Sequence, residues 1–204
     1  MQLEGIQNII FDLGDVIINI HPNNAIQGFR NLFSHSFAEL EQDLEKEKIL
    51  TKYETGEITT NDFISFFQTR NKQLREEEII TVWNSMLLDI PEERVQLIKK
   101  LSKQYRVFLL SNTNEIHLNF INNYVTNQFQ LAAIDNLFEQ AYYSHEMGLR
   151  KPNTPIFKTI IEEHQLIPEK TLFIDDTEEH IIGAKKLNLK TLHLVKPTTI
   201  NDIF

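Results

Sequence analysis

The 204-residue sequence contains no cysteine, which excludes disulfides, thiolate metal ligands and cysteine nucleophiles. It has no run of basic residues and its formal net charge is -9, so it lacks the counterion-releasing surface that nucleic-acid binding requires. The N-terminal apolar stretch has no basic flank and is interrupted by Asp12, unlike a signal peptide or a membrane span. These features favour a cytoplasmic protein that binds neither nucleic acid nor membranes.

Short apolar segments alternate with amphipathic ones along most of the chain. The hydrophobic and charged contents, 41% and 24%, are those of an ordinary globular domain. The apolar segments predict buried strands at residues 6–11, 106–110, 171–174 and 190–195, with a possible fifth at 138–144. Helical spacing at 91–104, 153–164 and 177–188 separates them, and this alternation predicts an α/β fold with a parallel sheet and helices on both faces.

Residues 22–88 differ from the rest because they contain no convincing strand. Four helical patterns occur there, at residues 23–33, 36–53, 60–70 and 76–87. We predict a helical insertion at 18–88 and a core formed by residues 1–17 and 89–204. Phe63, Phe66 and Phe67 are expected to form the interior of the insertion.

Polar side chains follow the predicted strands where each strand ends. Asp12 follows the first strand, Ser111 the second, and the pair Asp175 and Asp176 the fourth, while Lys151 lies in the loop after the possible strand at 138–144. Any one of the acids or the serine could simply cap a helix. Together they predict one crevice, since loops beyond the carboxyl ends of parallel strands form the ligand site of an open sheet.

Four short segments carry a family resemblance. FDLGDVII, LLSNTN, RKP and FIDD resemble, in that order, the four motifs of the haloacid dehalogenase-like (HAD) hydrolase superfamily. The resemblance implies a Rossmann-like core, and the helical insertion resembles the C1-type cap of that superfamily. The first and second motifs are most similar to those of a subgroup of small sugar phosphatases typified by alpha-glucose-1-phosphatase, which implies a substrate such as a hexose 1-phosphate.

The resemblance implies phosphoryl transfer to an aspartate with the help of Mg²⁺. Asp12 corresponds to the nucleophile, which would form an aspartyl-phosphate that water then hydrolyses. A cation is needed because an ionised carboxylate must approach a dianionic substrate, and Mg²⁺ prefers oxygen ligands. Its ligands would be Asp12, the backbone carbonyl of Gly14 and one carboxylate of the pair, Asp176 before Asp175.

The same resemblance assigns the phosphate contacts. Ser111 and the backbone of Asn112 would donate hydrogen bonds to the transferred phosphoryl group, while Lys151 would hold both the phosphate and Asp12. The three carboxylates carry -3, and Mg²⁺ with Lys151 supplies +3. The site is therefore expected to be nearly neutral before a small phosphorylated substrate binds.

Gly14 departs from the superfamily pattern. Most phosphatases of the superfamily carry a second aspartate there, which acts as general acid and then as general base. Asp15 or a residue of the insertion could replace it, the leaving group could need less help, or the activity could be weak or lost. His180, four residues after Asp176, could hydrogen-bond a water or face solvent.

Two other functions remain open from the sequence. A 2-haloacid dehalogenase would use Asp12 on carbon and needs no proton for halide, but adjacent acids at 175 and 176 favour a cation site. A catalytically silent binding module would not need Asp12, Ser111, Lys151 and Asp176 together. A histidine zinc site and a serine-hydrolase triad have no sequence support. Neither the oligomeric state nor the ligand-facing residues of the insertion are predicted, the candidates being Asn19, His21, Tyr53, Glu54, Phe63 and Trp83.

Overall fold

The computed structural model describes residues 3–204, which contain a five-stranded parallel sheet in the order β3-β2-β1-β4-β5. The predicted α/β class and all five predicted strands are confirmed, with shorter ends in several cases. The strands are β1 (Asn8–Phe11), β2 (Arg106–Ser111), β3 (Gln140–Tyr143), β4 (Thr171–Asp175) and β5 (Lys190–His193). Since β1 lies at the centre, its end lies between the ends of β2 and β4.

Helices cover both faces of the sheet because alternate strand residues point to opposite sides. Ile9 and Phe11 pack with α6 (Glu92–Leu101), α7 (Glu115–Phe129) and α11 (Ile200–Ile203). Ile10 packs on the other face with α9 (Thr154–Glu163) and α10 (Glu178–Lys185). A short helix, α8 (Ser144–Met147), follows β3 directly. No helix within residues 3–204 is long and apolar enough to cross a membrane.

The segment between β1 and α6 is helical, as predicted. It contains α1 (Pro22–Phe33), α2 (Phe37–Lys46), α3 (Ile49–Glu54), α4 (Thr60–Arg70) and α5 (Glu76–Asn84), which we call the helical insertion. The prediction of a single helix at 36–53 is wrong. The helix is interrupted at Lys48, whose φ of 53° is left-handed, and α3 starts at the next residue. Phe63, Phe66 and Phe67 are buried in the insertion's own apolar cluster, as expected.

The chain enters and leaves the helical insertion side by side. Asn19 N donates to Asp89 O at 2.9 Å, and Leu88 N donates to Asn19 O at 2.9 Å. His21 N donates to Met86 O at 2.8 Å, which extends this short antiparallel pairing. The pairing fixes the helical insertion just beyond the end of β1, and the division into core and cap at residues 18 and 88 stays a prediction.

Candidate active site

Asp12 lies at the carboxyl end of the central strand. Its backbone N–H donates to Ile174 O at 2.9 Å, so the β1–β4 ladder continues to this residue and fixes its backbone. Its side chain is only 10% exposed. Burial raises the pKa of Asp12 to about 7, the neighbouring Lys151 ammonium opposes the rise, and the Asp175 carboxylate adds to it. Burial and the Asp175 charge thus favour the neutral form of Asp12, whereas the Lys151 ammonium favours its anion.

Lys151 is fully buried and connects the ends of three strands. Its Nζ donates to Asp12 Oδ1 at 2.6 Å, to Asp175 Oδ2 at 2.7 Å and to Leu110 O at 3.0 Å. These bonds use all three donors of the ammonium group. Burial alone would lower the pKa of Lys151, but the two carboxylates raise it above its ordinary value, so the side chain is an ammonium ion at neutral pH.

Asp175 is held almost entirely by protein groups. Besides Lys151, it accepts from Thr177 N at 2.8 Å, and His180 Nδ1 lies 3.0 Å from each of its oxygens. Burial alone would raise the pKa of Asp175, but Lys151 and His180 lower it to about 2. The solvent-facing interpretation of His180 is wrong, because its side chain is only 15% exposed and contacts Asp175.

Asp176 is the least engaged of the three acids. Its side chain has one long hydrogen bond, from Thr177 Oγ1 at 3.4 Å, and the residue is partly exposed. Oxygen atoms of Asp12, Asp175 and Asp176 lie within 4.8 Å of one another. A donor set made only of oxygens suits a hard divalent cation such as Mg²⁺. Asp12 and Asp176 would hold it, since Asp175 already has three partners.

The other sequence-predicted residues lie around this centre. Ser111 is buried at the end of β2. The Asn112 side chain holds the Lys151 backbone, donating to Lys151 O at 3.0 Å and accepting from Lys151 N at 2.9 Å. Gly14 lies beyond Asp12, and a Cβ there would come within 3.3 Å of Ile20 Cδ1. A side chain at position 14 would therefore meet an apolar wall.

A cavity of about 200 Å³ lies between the helical insertion and the residues that follow β1 and β2. Its lining includes Gly14 and Ser111, next to this centre, but not the side chains of the centre itself, Asp12, Lys151, Asp175 and Asp176. Glu54 and Trp83 of the insertion line it, whereas Asn19, His21, Tyr53 and Phe63 are not among its lining residues. The other lining residues are Leu13, Gly14, Ile18, Ile20, Met86, Leu87, Ser111, Asn112, Thr113, Asn114, His117 and Ile121. Two sides of the cavity are thus apolar, and polar groups come mainly from the end of β2.

His117 is a lining residue that the sequence did not single out. Its ring stacks on Trp83, with centroids 4.8 Å apart, and its Nε2 lies 3.2 Å from Trp83 O. Its Nδ1 lies 3.2 Å from Asn114 Nδ2, an amide donor. Burial lowers the pKa of His117 to about 4, so the ring is neutral and bonded at both nitrogens. A single histidine in a helical segment gives no indication in the sequence that it lines a cavity.

Gly183 in α10 sets the distance between that helix and the loop that carries Lys151. A Cβ at Gly183 would lie 2.3 Å from Pro152 O. Glycine-to-alanine changes inside helices normally stabilise by about 1 kcal/mol. Here we expect Gly183→Ala to lower the free energy of unfolding by about 1–3 kcal/mol, because backbone must move. Urea unfolding measures this loss, and Asn123→Ala, at an exposed position in a helix, is the control that should be unchanged or more stable. Unchanged or increased stability of Gly183→Ala would contradict the close packing.

The parallel sheet, the acidic centre at its carboxyl edge and the helices above it define a capped α/β enzyme of doubly wound type. A family model for haloacid dehalogenase-like hydrolases matches residues 6–188, and the chain belongs to that family. The fold and the resemblance read from the four motifs are thereby confirmed.

Three relatives illustrate this membership. D-ribitol-5-phosphate phosphatase of Bacteroides thetaiotaomicron is 29% identical over 91% of this chain and 90% of its own. A HAD-family enzyme of the same organism, solved in complex with magnesium and inorganic phosphate, has a TM-score of 0.87 and 32% identity, covering 98% of this chain and 99% of its own. A predicted HAD-like hydrolase of Porphyromonas gingivalis has a TM-score of 0.81 and 29% identity, covering 92% and 90%.

Proposed function

We propose that this chain is a magnesium-dependent phosphatase of a small sugar or alditol phosphate, acting through an aspartyl-phosphate on Asp12. The proposal rests on the buried Lys151 between Asp12 and Asp175, with Asp176 beside them, and on the neighbouring cavity that Ser111 lines. The relative that hydrolyses D-ribitol 5-phosphate and the neighbour that binds magnesium and phosphate support it.

Each residue has a defined task in this reaction. Bound Mg²⁺ would supply the positive charge that keeps Asp12 ionised and offsets the charge of the phosphoryl group. The Asp12 oxygen not bonded to Lys151 attacks phosphorus, and the bond to the leaving oxygen breaks. Lys151 keeps Asp12 oriented, while Ser111 and the Asn112 backbone N–H donate to the equatorial oxygens. Water then attacks phosphorus and regenerates the Asp12 carboxylate.

The cavity supports a small substrate. Its volume of about 200 Å³ must hold the phosphoryl group as well as the part of the substrate that leaves. A compact pentitol or hexose phosphate is therefore favoured over a nucleotide or a phosphoprotein. Phosphate release from a panel of aldose, alditol and nucleoside phosphates, with Mg²⁺ or with chelator, tests this. Release only from nucleotides, or release in chelator, would contradict the proposal.

Asp176→Asn tests the assignment of the cation. Loss of a direct carboxylate ligand is expected to raise the half-saturating Mg²⁺ concentration at least about 10-fold. It should also reduce the increase in Tm that Mg²⁺ gives the wild type, since binding to the folded state alone stabilises it. Glu178→Gln, two residues away and exposed, serves as the control. Equal Mg²⁺ dependence in both variants would remove Asp176 from the ligand set.

A 2-haloacid dehalogenase remains the alternative that shares the Asp12 nucleophile. It requires no divalent cation, so the close approach of three carboxylates supports the phosphatase instead. Halide release from 2-chloropropionate without phosphatase activity would reverse this preference.

A further inference from the structure

The proposed function leaves one proton without a donor. An alkoxide of an ordinary alcohol leaves slowly unless it is protonated as its bond to phosphorus breaks. Gly14 provides no acid, and Ile20 occupies the space beside it. Asp15, the neighbouring acid, turns away: its Oδ1 accepts from Ile20 N at 3.0 Å and pairs with Lys196 Nζ at 2.7 Å. The donor must come from the opposite wall of the cavity.

Among the described residues, the titratable side chains that line that cavity are Glu54 and His117. His117 is unsuited to the task because its ring is neutral. Its Nε2–H is bonded to Trp83 O, and its Nδ1 faces the amide of Asn114. Glu54 is therefore the lining side chain that can both give up and take a proton.

Glu54 is held over the cavity by close packing between the helical insertion and the core. It is the last residue of α3, and Gly56 follows two residues later in a left-handed conformation with φ of 67°. A Cβ at Gly56 would lie 2.2 Å from His145 O, so only glycine allows this approach. Arg150 of the core completes the contact, its Nη2 lying 2.9 Å from Glu54 Oε2.

The burial of Glu54 shifts its protonation equilibrium toward the neutral acid. Burial raises its pKa above the ordinary value, although Arg150, His180 and Lys151 oppose the rise. Within residues 3–204, Glu54 has no hydrogen bond or ion pair to any proposed metal ligand. A bound phosphate dianion would add negative charge nearby and favour protonation further.

We infer that Glu54 protonates the leaving oxygen of the substrate and then activates the hydrolytic water, replacing the acid that is missing at Gly14; this rests on the proposed function. In the first step the Asp12–phosphorus bond forms, the bond from phosphorus to the leaving oxygen breaks, and that oxygen takes the Glu54 proton. In the second step water attacks phosphorus, Glu54 takes a proton from it, and the Asp12–phosphorus bond breaks to release phosphate.

The test uses leaving groups of different acidity. For the alkyl phosphate that the wild type hydrolyses fastest, kcat/KM of Glu54→Gln is expected to fall about 100-fold or more, while p-nitrophenyl phosphate, whose leaving group needs no proton, loses less than about threefold. The affinity for inorganic phosphate with Mg²⁺, measured by calorimetry, should not change in the variant. Glu57→Gln, exposed and three residues further along the helical insertion, is the matched control and should match the wild type on both substrates.

Several outcomes would overturn the role of Glu54. An equal loss of kcat/KM on both substrates, or a loss of phosphate affinity, would indicate a structural residue. A higher KM for the alkyl phosphate at unchanged kcat would indicate binding of substrate hydroxyls, and full activity on both substrates would exclude any role. Failure of the wild type itself to release phosphate from either class would instead contradict the proposed function.

Discussion

Replacing Asp12 by asparagine is expected to lower kcat for phosphate release on the order of 10⁴-fold or more, because an amide cannot attack phosphorus. The fold should be preserved. Asparagine is nearly the same size, and its Oδ1 can still accept the hydrogen bond that Lys151 Nζ makes at 2.6 Å in the wild type. Removing one of three neighbouring negative charges should leave thermal stability equal or higher.

Asp62→Asn is the control for this variant. Asp62 lies on the exposed surface of the helical insertion, where it accepts from Thr59 N at 2.9 Å, and an asparagine oxygen can do the same. Its kcat should equal that of the wild type. Activity of Asp12→Asn above about one per cent of the wild type, with the substitution verified by mass spectrometry of the assayed protein, would exclude Asp12 as the nucleophile.

Lys151→Met is expected to lower both stability and activity. The variant leaves Asp12 and Asp175 buried beside each other without the ammonium that bonds to both of them. Breaking a buried ion pair by removing one partner costs about 3–5 kcal/mol, because the remaining charge stays buried. Guanidinium unfolding should show a loss of that size, and phosphate release should fall below detection.

Lys158→Met is the control for this variant, because it also replaces a lysine by methionine but at the surface. Lys158 pairs with Glu162 at 3.5 Å on the surface of α9, and the two side chains are 63% and 65% exposed. Such a pair contributes about 0.5 kcal/mol or less, so this variant should unfold like the wild type. If Lys151→Met were no less stable than Lys158→Met, the buried triad would not hold the three strand ends together.

The fold and the position of the site could be predicted because each depends on short-range patterns. Apolar runs identified the strands, and the polar residues that follow them had to meet at one edge of a parallel sheet. The positions of Asp12, Ser111, Lys151 and the 175/176 pair along the chain predicted that they meet, whereas their roles were implied by the family resemblance.

Other features depend on tertiary packing that no local pattern reports. The resemblance implies that Lys151 holds the phosphate and Asp12, but it does not indicate that the side chain is fully buried and also bonds to Asp175. Only the family resemblance ranked Asp176 before Asp175 as the metal ligand; the physical reason is that Asp175 faces Lys151 and His180, while Asp176 stays available. The break at Lys48 is equally invisible, because the flanking residues all favour a helix.

The sequence does not show which side of the helical insertion faces the cavity, for the same reason. Glu54 and Trp83 line the cavity, whereas Phe63 and Tyr53 pack against each other with centroids 4.4 Å apart. All four lie in helices with apolar neighbours, so their spacing does not distinguish residues that line the cavity from residues buried inside the helical insertion. Tertiary contacts such as the approach of Gly56 to His145 O and the Glu54–Arg150 ion pair fix which side faces the core.

We propose that Asp12 and Asp176 share one divalent ion, which lets the Asp12 carboxylate approach a phosphoryl group. A crystal structure grown with Mn²⁺ and beryllium fluoride tests it most directly, since the metal is located by its anomalous signal and the fluoride mimics a phosphorylated carboxylate. We expect one anomalous peak coordinated by Asp12, Gly14 O and Asp176, with beryllium bonded to Asp12. A peak away from Asp176, or beryllium on another residue, would contradict the claim.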